Sequence, residues 1–264
     1  MSILDTIIAH KRKEVTARKE QTSVSELEKA AFFNTKQPSF KDALLQVGSS
    51  GIIAEFKKKS PSKGIINGNA SVTAITKGYQ KAGAAAVSVL TDAHFFGGND
   101  KDLIAARTEN PTLPILRKEF LIDEYQLLEA KALGASAILL IAAVLTKQET
   151  ENLASFAHSL GLEVLMEIHT EKELGLINPH LDLVGVNNRN LNTFEVSIQN
   201  SIRLFPLIPK EFIKISESGI SDVVTVLELQ KVGFQGFLMG ENFMKTENPA
   251  KACESFIKQM SSNS

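Results

Sequence analysis

Tryptophan is absent from this chain, and cysteine occurs once in 264 residues. A lone Cys253 closes no internal disulfide, so nothing in the chain calls for an oxidising compartment. Its setting in an amphipathic stretch, PAKACESFIKQM, reads as a buried structural thiol. The five histidines are scattered, with no pair at metal-ligand spacing and no thiols to join them, so no metal site is expected. No run approaches the roughly 18 apolar residues that a membrane span needs. The opening MSILDTIIAHKRKE carries Asp5 and lacks the apolar core of a secretory signal. A net charge of −1 gives no electrostatic case for nucleic acid or an anionic membrane surface. The dinucleotide fingerprint GxGxxG follows none of the apolar runs, so no nucleotide cofactor is implied. These absences describe a cytoplasmic protein whose partner is a small molecule. No apolar helix face stands out, and a monomer is expected.

What is present is apolar material, 43% of residues, arranged in a repeat. Residues 1–48 read as helices. Ile3, Leu4, Ile7 and Ile8 make an apolar stripe with basic residues on the other face, Ser25–Glu28 has a capping-box pattern, and Ser39 suits the cap of a third helix that stops near Gly48. This segment looks like an extension packed on, or reaching over, the main body. From residue 51 to 264, short apolar runs alternate with longer amphipathic stretches. The runs are Ile52–Phe56, Ala86–Leu90, Ile115–Lys118, Ala137–Ile141, Val164–Ile168, Leu183–Val186, Phe212–Ile215 and Gly236–Met239. Their starts lie about 20 to 35 residues apart, the size of a strand-plus-helix unit. Strands without polar alternation belong to a parallel sheet buried on both faces. Eight such units in one domain of about 250 residues predict an α/β fold, a (β/α)8 TIM barrel with an N-terminal helical extension. An open doubly wound sheet is the runner-up.

Function in such a barrel sits at the C-terminal ends of the strands. There the runs turn from apolar to charged: Glu55-Phe56-Lys57-Lys58-Lys59-Ser60, Arg117-Lys118-Glu119-Phe120, Glu167-Ile168-His169, Asn187-Asn188-Arg189 and Ser216-Glu217-Ser218-Gly219. One charged strand end is ordinarily a solvated surface, but five at one level are not. Because successive strand residues face opposite sides, Glu55, Lys57 and Lys59 share a face. Buried Lys and Glu at one mouth perturb each other's pKa values, with desolvation favouring each neutral form, and so make candidate acids and bases. Arg189 offers a planar fork for a carboxylate, beside Asn187. Ser218-Gly219 after the seventh run and Gly240-Glu241-Asn242 after the eighth occupy the usual phosphate position of these barrels, where backbone N–H groups would hold a dianion. A carboxylate at Glu241 suits that position only if its amide, and not its side chain, faces the ligand. His169 and His94 read as structural or loop histidines.

In order and spacing, AEFKKKSPSKG, PILRKEF, LMEIH, VGVNNRNL, SESGI and FLMGENFM resemble the motifs of the indole-3-glycerol phosphate synthase family. The resemblance runs over nearly the whole chain, including the helical extension. It implies a cofactor-free carboxy-lyase of tryptophan biosynthesis, a role that suits a chain without tryptophan. The implied reaction converts 1-(2-carboxyphenylamino)-1-deoxyribulose 5-phosphate to indole-3-glycerol phosphate with loss of CO2 and water. The resemblance also implies the roles. Lys118 is the general acid at the substrate carbonyl, and Lys57 lies near the anthranilate carboxylate as a further acid. Glu167 and Glu55 remove protons or hold the lysines. Asn187, Arg189 and Glu217 line the anthranilate and hydroxyl side, with Phe95, Phe96 and Phe120 as apolar wall. Lys59, Ser60, Ser218, Gly219, Gly240 and Glu241 form the phosphate site. The family usually carries Asp where this chain has Glu119 and Asn190, departures that bear on positioning.

Three other readings stand beside this one. Another phosphate-binding barrel, such as phosphoribosylanthranilate isomerase, would use a Cys and an Asp, and the only Cys here lies past the eighth run. A Schiff-base aldolase would use a buried lysine such as Lys118 as nucleophile. A non-catalytic phosphate-binding barrel would not need Lys57, Lys118 and Glu167 together. The loop Ser60–Asn69, with Gly64 and Gly68, is expected to move and to close over substrate.

Overall fold

The computed structural model describes residues 3–190 and 193–262. Eight parallel strands close into a barrel. They are β1 (Ile52–Phe56), β2 (Ala86–Leu90), β3 (Ile115–Lys118), β4 (Ala137–Ile141), β5 (Glu163–Ile168), β6 (Leu183–Asn187), β7 (Ile213–Glu217) and β8 (Gly236–Met239). The barrel closes where β1 pairs with both β2 (Ile53↔Ala86, Glu55↔Ser88) and β8 (Ile52↔Phe237). The predicted runs match the strands to within a residue at their starts, β5 beginning one earlier at Glu163 and β7 one later at Ile213, and β6 and β7 continue into polar residues. Asn187 pairs with Glu217, and Val186 with Ser216. A search for apolar runs stops at Val186 and Ile215. The ladder carries on because the barrel interior supplies partners for those side chains.

Among the described residues the helices are α1 (Ile3–Gln21), α2 (Val24–Leu27), α3 (Phe40–Leu45), α4 (Val72–Ala82), α5 (Asp100–Glu109), α6 (Glu124–Leu133), α7 (Lys147–Ser159), α8 (Gln199–Leu204), α9 (Val223–Val232), α10 (Glu241–Met244) and α11 (Pro249–Ser261). Short polar side chains start them. Ser71, Asn99, Asp123 and Asp222 each accept a hydrogen bond from an N–H in the first turn of the helix they precede, satisfying one of its orphan donors. The capping box of α2 is Ser23 with Glu26, two residues earlier than the sequence pattern suggested, because Ser23 is the last extended residue before the turn. Ser39 caps α3 as expected. No helix among the described residues is long and apolar enough to cross a membrane.

The barrel interior is layered. Ile53, Leu116, Leu165 and Ile215 come from alternate strands and pack with Leu139, Leu183 and Leu238. Phe40 and Leu44 join the same cluster, so α3 plugs the N-terminal end. There Ser39 donates to Glu163 of β5. Two residues further along the odd strands, the inward positions become Glu55, Lys118, Glu167 and Glu217. One turn of the alternation therefore separates an apolar floor from a charged mouth.

The extension reaches from that mouth down the outside of the barrel. Ile3, Leu4 and Ile7 stand over the cavity, while Arg18, near the other end of α1, pairs with Asp100 of α5 (2.6 Å) and Glu129 of α6 (2.9 Å). Arg117 of β3 faces the helical layer and reaches the same two carboxylates, at 3.4 and 3.3 Å. Two arginines thus share two acids across the seam between α1 and the barrel wall.

Candidate active site

Four charged side chains from alternate strands meet at the floor of a cavity of about 240 Å³. The Lys118 ammonium lies 2.6 Å from Glu217 Oε2 and 3.1 Å from Glu167 Oε2. Lys57, just beyond β1, lies 2.8 Å from Glu55 Oε1. Glu55, Glu167 and Glu217 are all buried. Two glycines make room for this layer. A Cβ on Gly240 would stand 2.5 Å from Glu55 Oε1, and one on Gly185 would stand 2.2 Å from Glu217 Oε1. Small residues at these two points are what let carboxylates lie flat against the barrel wall.

Burial by itself would lower the proton affinity of Lys118. Glu217, Glu167 and Glu55 outweigh it, and the ammonium is held above the ordinary lysine range. Sequence reasoning anticipated neutral forms on both sides of such pairs. With three acids around one base, the cation is retained and one of the acids gives way. Burial and the neighbouring Glu167 push Glu217 up to about 7 against the pull of Lys118. Burial also opposes ionisation of Glu167, but Lys118 and His169 override it and hold that group well below its usual value. The site presents one firm ammonium, one firm carboxylate and one carboxyl that titrates near neutrality. That set serves both proton donation and proton removal.

Phe96 and Phe120 form the apolar wall, their rings 5.9 Å apart. Their loops are held from behind. Asp92 accepts the N–H groups of Phe95 and Phe96, and Glu119 accepts that of Phe120. Both acids are buried, and Lys11 of α1 lies between them, 2.9 Å from Asp92 and 3.0 Å from Glu119. Sequence reasoning left Lys11 and Asp92 unassigned and recorded Glu119 only as a departure. The available signal was a basic residue at the end of an apolar stripe, which resembles any solvated helix face.

Opposite the wall, two turns close the cavity. After β7, Ser218 and Gly219 adopt consecutive left-handed conformations, with φ of 66° and 75°. Asn188 pins the turn by donating to the Ser218 carbonyl. A non-glycine residue held there stores strain, a frequent feature of ligand sites. After β8, Gly240 leads into α10. The side chain of Glu241 is 36% exposed, with Lys63 3.7 Å away, so its carboxylate is turned to solvent.

The cavity lining takes in Glu55, Lys57, Ser60, Phe96, Lys118, Phe120, Glu167, Asn187, Arg189, Glu217, Ser218, Gly219, Gly240 and Glu241. Two expected members lie elsewhere. Phe95 turns from the cavity and packs edge-on against His10 and His94, because Asp92 fixes both amides of its loop and adjacent side chains diverge. Lys59 sits in a small hairpin, Lys59–Ser60 with Gly64–Ile65, and donates to the His94 carbonyl at 3.2 Å. The apolar roof from Ile3, Leu4 and Ile7 was not foreseen as part of the site, although their stripe was visible.

A family model described as indole-3-glycerol phosphate synthase matches residues 4–256. The chain belongs to that family. Among curated relatives, an indole-3-glycerol phosphate synthase of Bacteroides thetaiotaomicron is 49% identical over 97% of this chain and 98% of its own. One of Salinibacter ruber is 44% identical over 96% of this chain and 94% of its own. Among solved structures, 3-hexulose-6-phosphate synthase from Salmonella typhimurium superposes with a TM-score of 0.62 at 13% identity, covering 79% of this chain and 99% of that one. The tryptophan synthase alpha subunit of Legionella pneumophila gives 0.61 at 12% identity, covering 84% and 96%. These two likenesses speak for the barrel alone. Family membership speaks for the activity.

Proposed function

We propose that this chain catalyses the indole-3-glycerol phosphate synthase reaction, closing the pyrrole ring of 1-(2-carboxyphenylamino)-1-deoxyribulose 5-phosphate with release of CO2 and water. The observation that carries the reading is the Lys118 ammonium, held between Glu167 and Glu217 beneath the Phe96 and Phe120 wall. The substrate's phosphate lies against the Ser218-Gly219 and Gly240-Glu241 turns, with Ser60 across from them. Its carboxylate faces Arg189 and Lys57. That leaves the aromatic ring against the phenylalanines and the ketose carbonyl over Lys118.

The chemistry follows from these placements. As the ring carbon bearing the carboxylate attacks the carbonyl carbon, negative charge grows on the carbonyl oxygen, and Lys118 neutralises it by giving a proton. A donor already in place contributes most where charge develops. The walls hold the ring within reach of the carbonyl and so supply orientation. Departure of CO2 returns its bonding electrons to the ring and restores aromaticity without an electron-sink cofactor. The new hydroxyl then leaves as water, with Lys57 or Lys118 as acid, while Glu167 or Glu55 takes the proton that completes the indole. Asn187 and Glu217 hold the substrate hydroxyls. The same reading makes the chain a single-domain cytoplasmic monomer, which sedimentation at micromolar concentration checks.

The deciding experiment is a fluorescence assay for indole-3-glycerol phosphate formation by the native chain and by Lys118→Ala. Product from the native chain alone supports the assignment. Product from both moves the essential acid to Lys57. A folded native chain that binds the substrate and forms no product removes the reading.

A further inference from the structure

His169 follows β5 at the mouth, yet its side chain is only 8% exposed. Neither ring nitrogen makes a hydrogen bond of good geometry, and each faces a carboxylate. Nε2 lies 3.3 Å from Glu167 Oε1, and Nδ1 lies 3.8 Å from Glu173 Oε2. A neutral imidazole would set one lone pair against a carboxylate, whereas an imidazolium is attracted by the carboxylate on each side. Glu173 does not shift to suit the ring, since it accepts the backbone N–H groups of His169 and Thr170 at the start of the turn Glu171–Leu176. Asn200 donates to the His169 carbonyl and fixes the backbone from the other side.

We propose that His169 is a positioning residue, an imidazolium clamped between Glu173 and Glu167 that draws one oxygen of Glu167 away from Lys118 and keeps this carboxylate ionised as a base. The proposal rests on the reading of Glu167 as a proton acceptor given above. It also accounts for a difference between two acids that share one lysine. Glu167 has a cation on each side, Lys118 at Oε2 and His169 at Oε1. The second oxygen of Glu217 faces Gly185 and has no partner. One acid stays ionised, and the other takes up a proton near neutrality.

The groups facing His169 come from several elements. Glu167 and Glu217 lie on barrel strands, Glu173 on the turn, and Lys118 behind Glu167. A second cavity opens on the far side of the ring, where Arg189, Arg203 and Glu195 stand with His169 and Glu173. Burial opposes the charge on His169, and the carboxylates, Glu173 and Glu167 first, outweigh it.

The test pairs a direct readout with a kinetic one. In 15N-histidine-labelled native protein, the resonance lost in His169→Gln is expected to stay in the imidazolium form above the ordinary histidine pKa of about 6.5. In His169→Gln the acid limb of kcat/KM should move up by about one pH unit, a tenfold loss on the acid side. Glu173→Gln keeps the capping hydrogen bonds and should move the limb part of the way while lowering the pH at which His169 loses its proton. A neutral His169 ring at pH 7, or an acid limb unmoved in His169→Gln, overturns the proposal. Should the native chain prove inactive on the substrate, Glu167→Gln still decides the pairing. Early proton loss from His169 in that variant supports the clamp, and no change refutes it.

Discussion

Two lysines in this barrel adjoin Glu119, one in space and one in sequence, and each is ringed by acids. Lys11 comes from α1 and is 1% exposed, with Glu14, Asp92 and Glu119 at 2.8, 2.9 and 3.0 Å. Lys118 comes from β3, and its side chain is 16% exposed, with Glu217 and Glu167 at 2.6 and 3.1 Å. In both, burial opposes the charge and the carboxylates win, so both ammonium groups are held above the usual range. The pairings are alike and the surroundings are not. The acids around Lys11 are tied into loops and a helix: Asp92 accepts the N–H groups of Phe95 and Phe96, Glu119 accepts the Phe120 N–H and the Thr91 hydroxyl, and Glu14 pairs with Arg18. The acids around Lys118 face a cavity, and one of them keeps a free oxygen. The Lys118 acids stand at the cavity floor, whereas the Lys11 acids are bound up with the loops that carry its apolar wall.

Exchanging each lysine for methionine separates the two roles. Lys118→Met is expected to lower kcat/KM by about 10²- to 10⁴-fold, the span of a lost general acid. Its unfolding midpoint should fall less than that of the other variant, because a carboxyl open to the cavity takes a proton instead of staying charged and alone. Lys11→Met leaves Asp92 and Glu119 buried together without a cation, at a cost of about 3 to 5 kcal/mol in urea or guanidinium unfolding. Where that variant is folded, the substrate KM should rise, since Asp92 and Glu119 hold the loops of Phe96 and Phe120, while kcat changes little. A Lys11→Met variant of native stability, or one that loses kcat with KM intact, breaks the distinction.

The eight strands were legible because runs such as AILLI and AVSVL have no charged residue on either face, as a doubly covered parallel strand requires. The members of the charged layer were legible for a related reason. Glu55 and Glu167 each interrupt an apolar run at an inward position, and burial of such a residue follows from strand alternation. Strand alternation does not report what lies across a turn. Phe95 and Phe96 are identical in type and adjacent, and only the loop that Asp92 pins shows that Phe96 is the one lining the cavity. Nor did any local pattern mark Lys11 as a buried ion, since its partners lie some 80 and 108 positions further along the chain. The sense of the titration shifts was equally out of reach. It depends on how many acids surround each base, and that is a property of barrel closure.

A smaller change sharpens the comparison from the open side. Gly185 pairs with Glu167 in the β5–β6 ladder and gives Glu217 the space in which its second oxygen lies. In Gly185→Ala the new methyl displaces that oxygen. Overpacking of this kind costs about 1 to 3 kcal/mol, and a misplaced partner for Lys118 should lower kcat by up to about a hundredfold.

The smallest expected signal concerns the proton that the Glu167–Glu217 pair takes up. Folded-state burial raises Glu217 to about 7, so the free enzyme should carry a protonated carboxyl below that pH and lose it above. The proton belongs to the pair, and the apparent value describes both acids. Infrared difference spectra on 13C-glutamate-labelled protein should show a carboxylic C=O band that disappears as the pH rises through about 7. The band should be absent in Glu217→Gln. In Gly185→Ala it should vanish at lower pH, because a carboxyl pushed into the cavity regains water and ionises more readily. In the Lys11 cluster, burial raises Glu119 above the usual carboxylate range against the pull of Lys11 and Arg117, so a band from that cluster is recognised as the one lost in Glu119→Gln and retained in Glu217→Gln. If the neutral-pH band survives in Glu217→Gln and disappears in Glu119→Gln, the closed cluster holds the proton. The contrast between the two lysines would then run the other way.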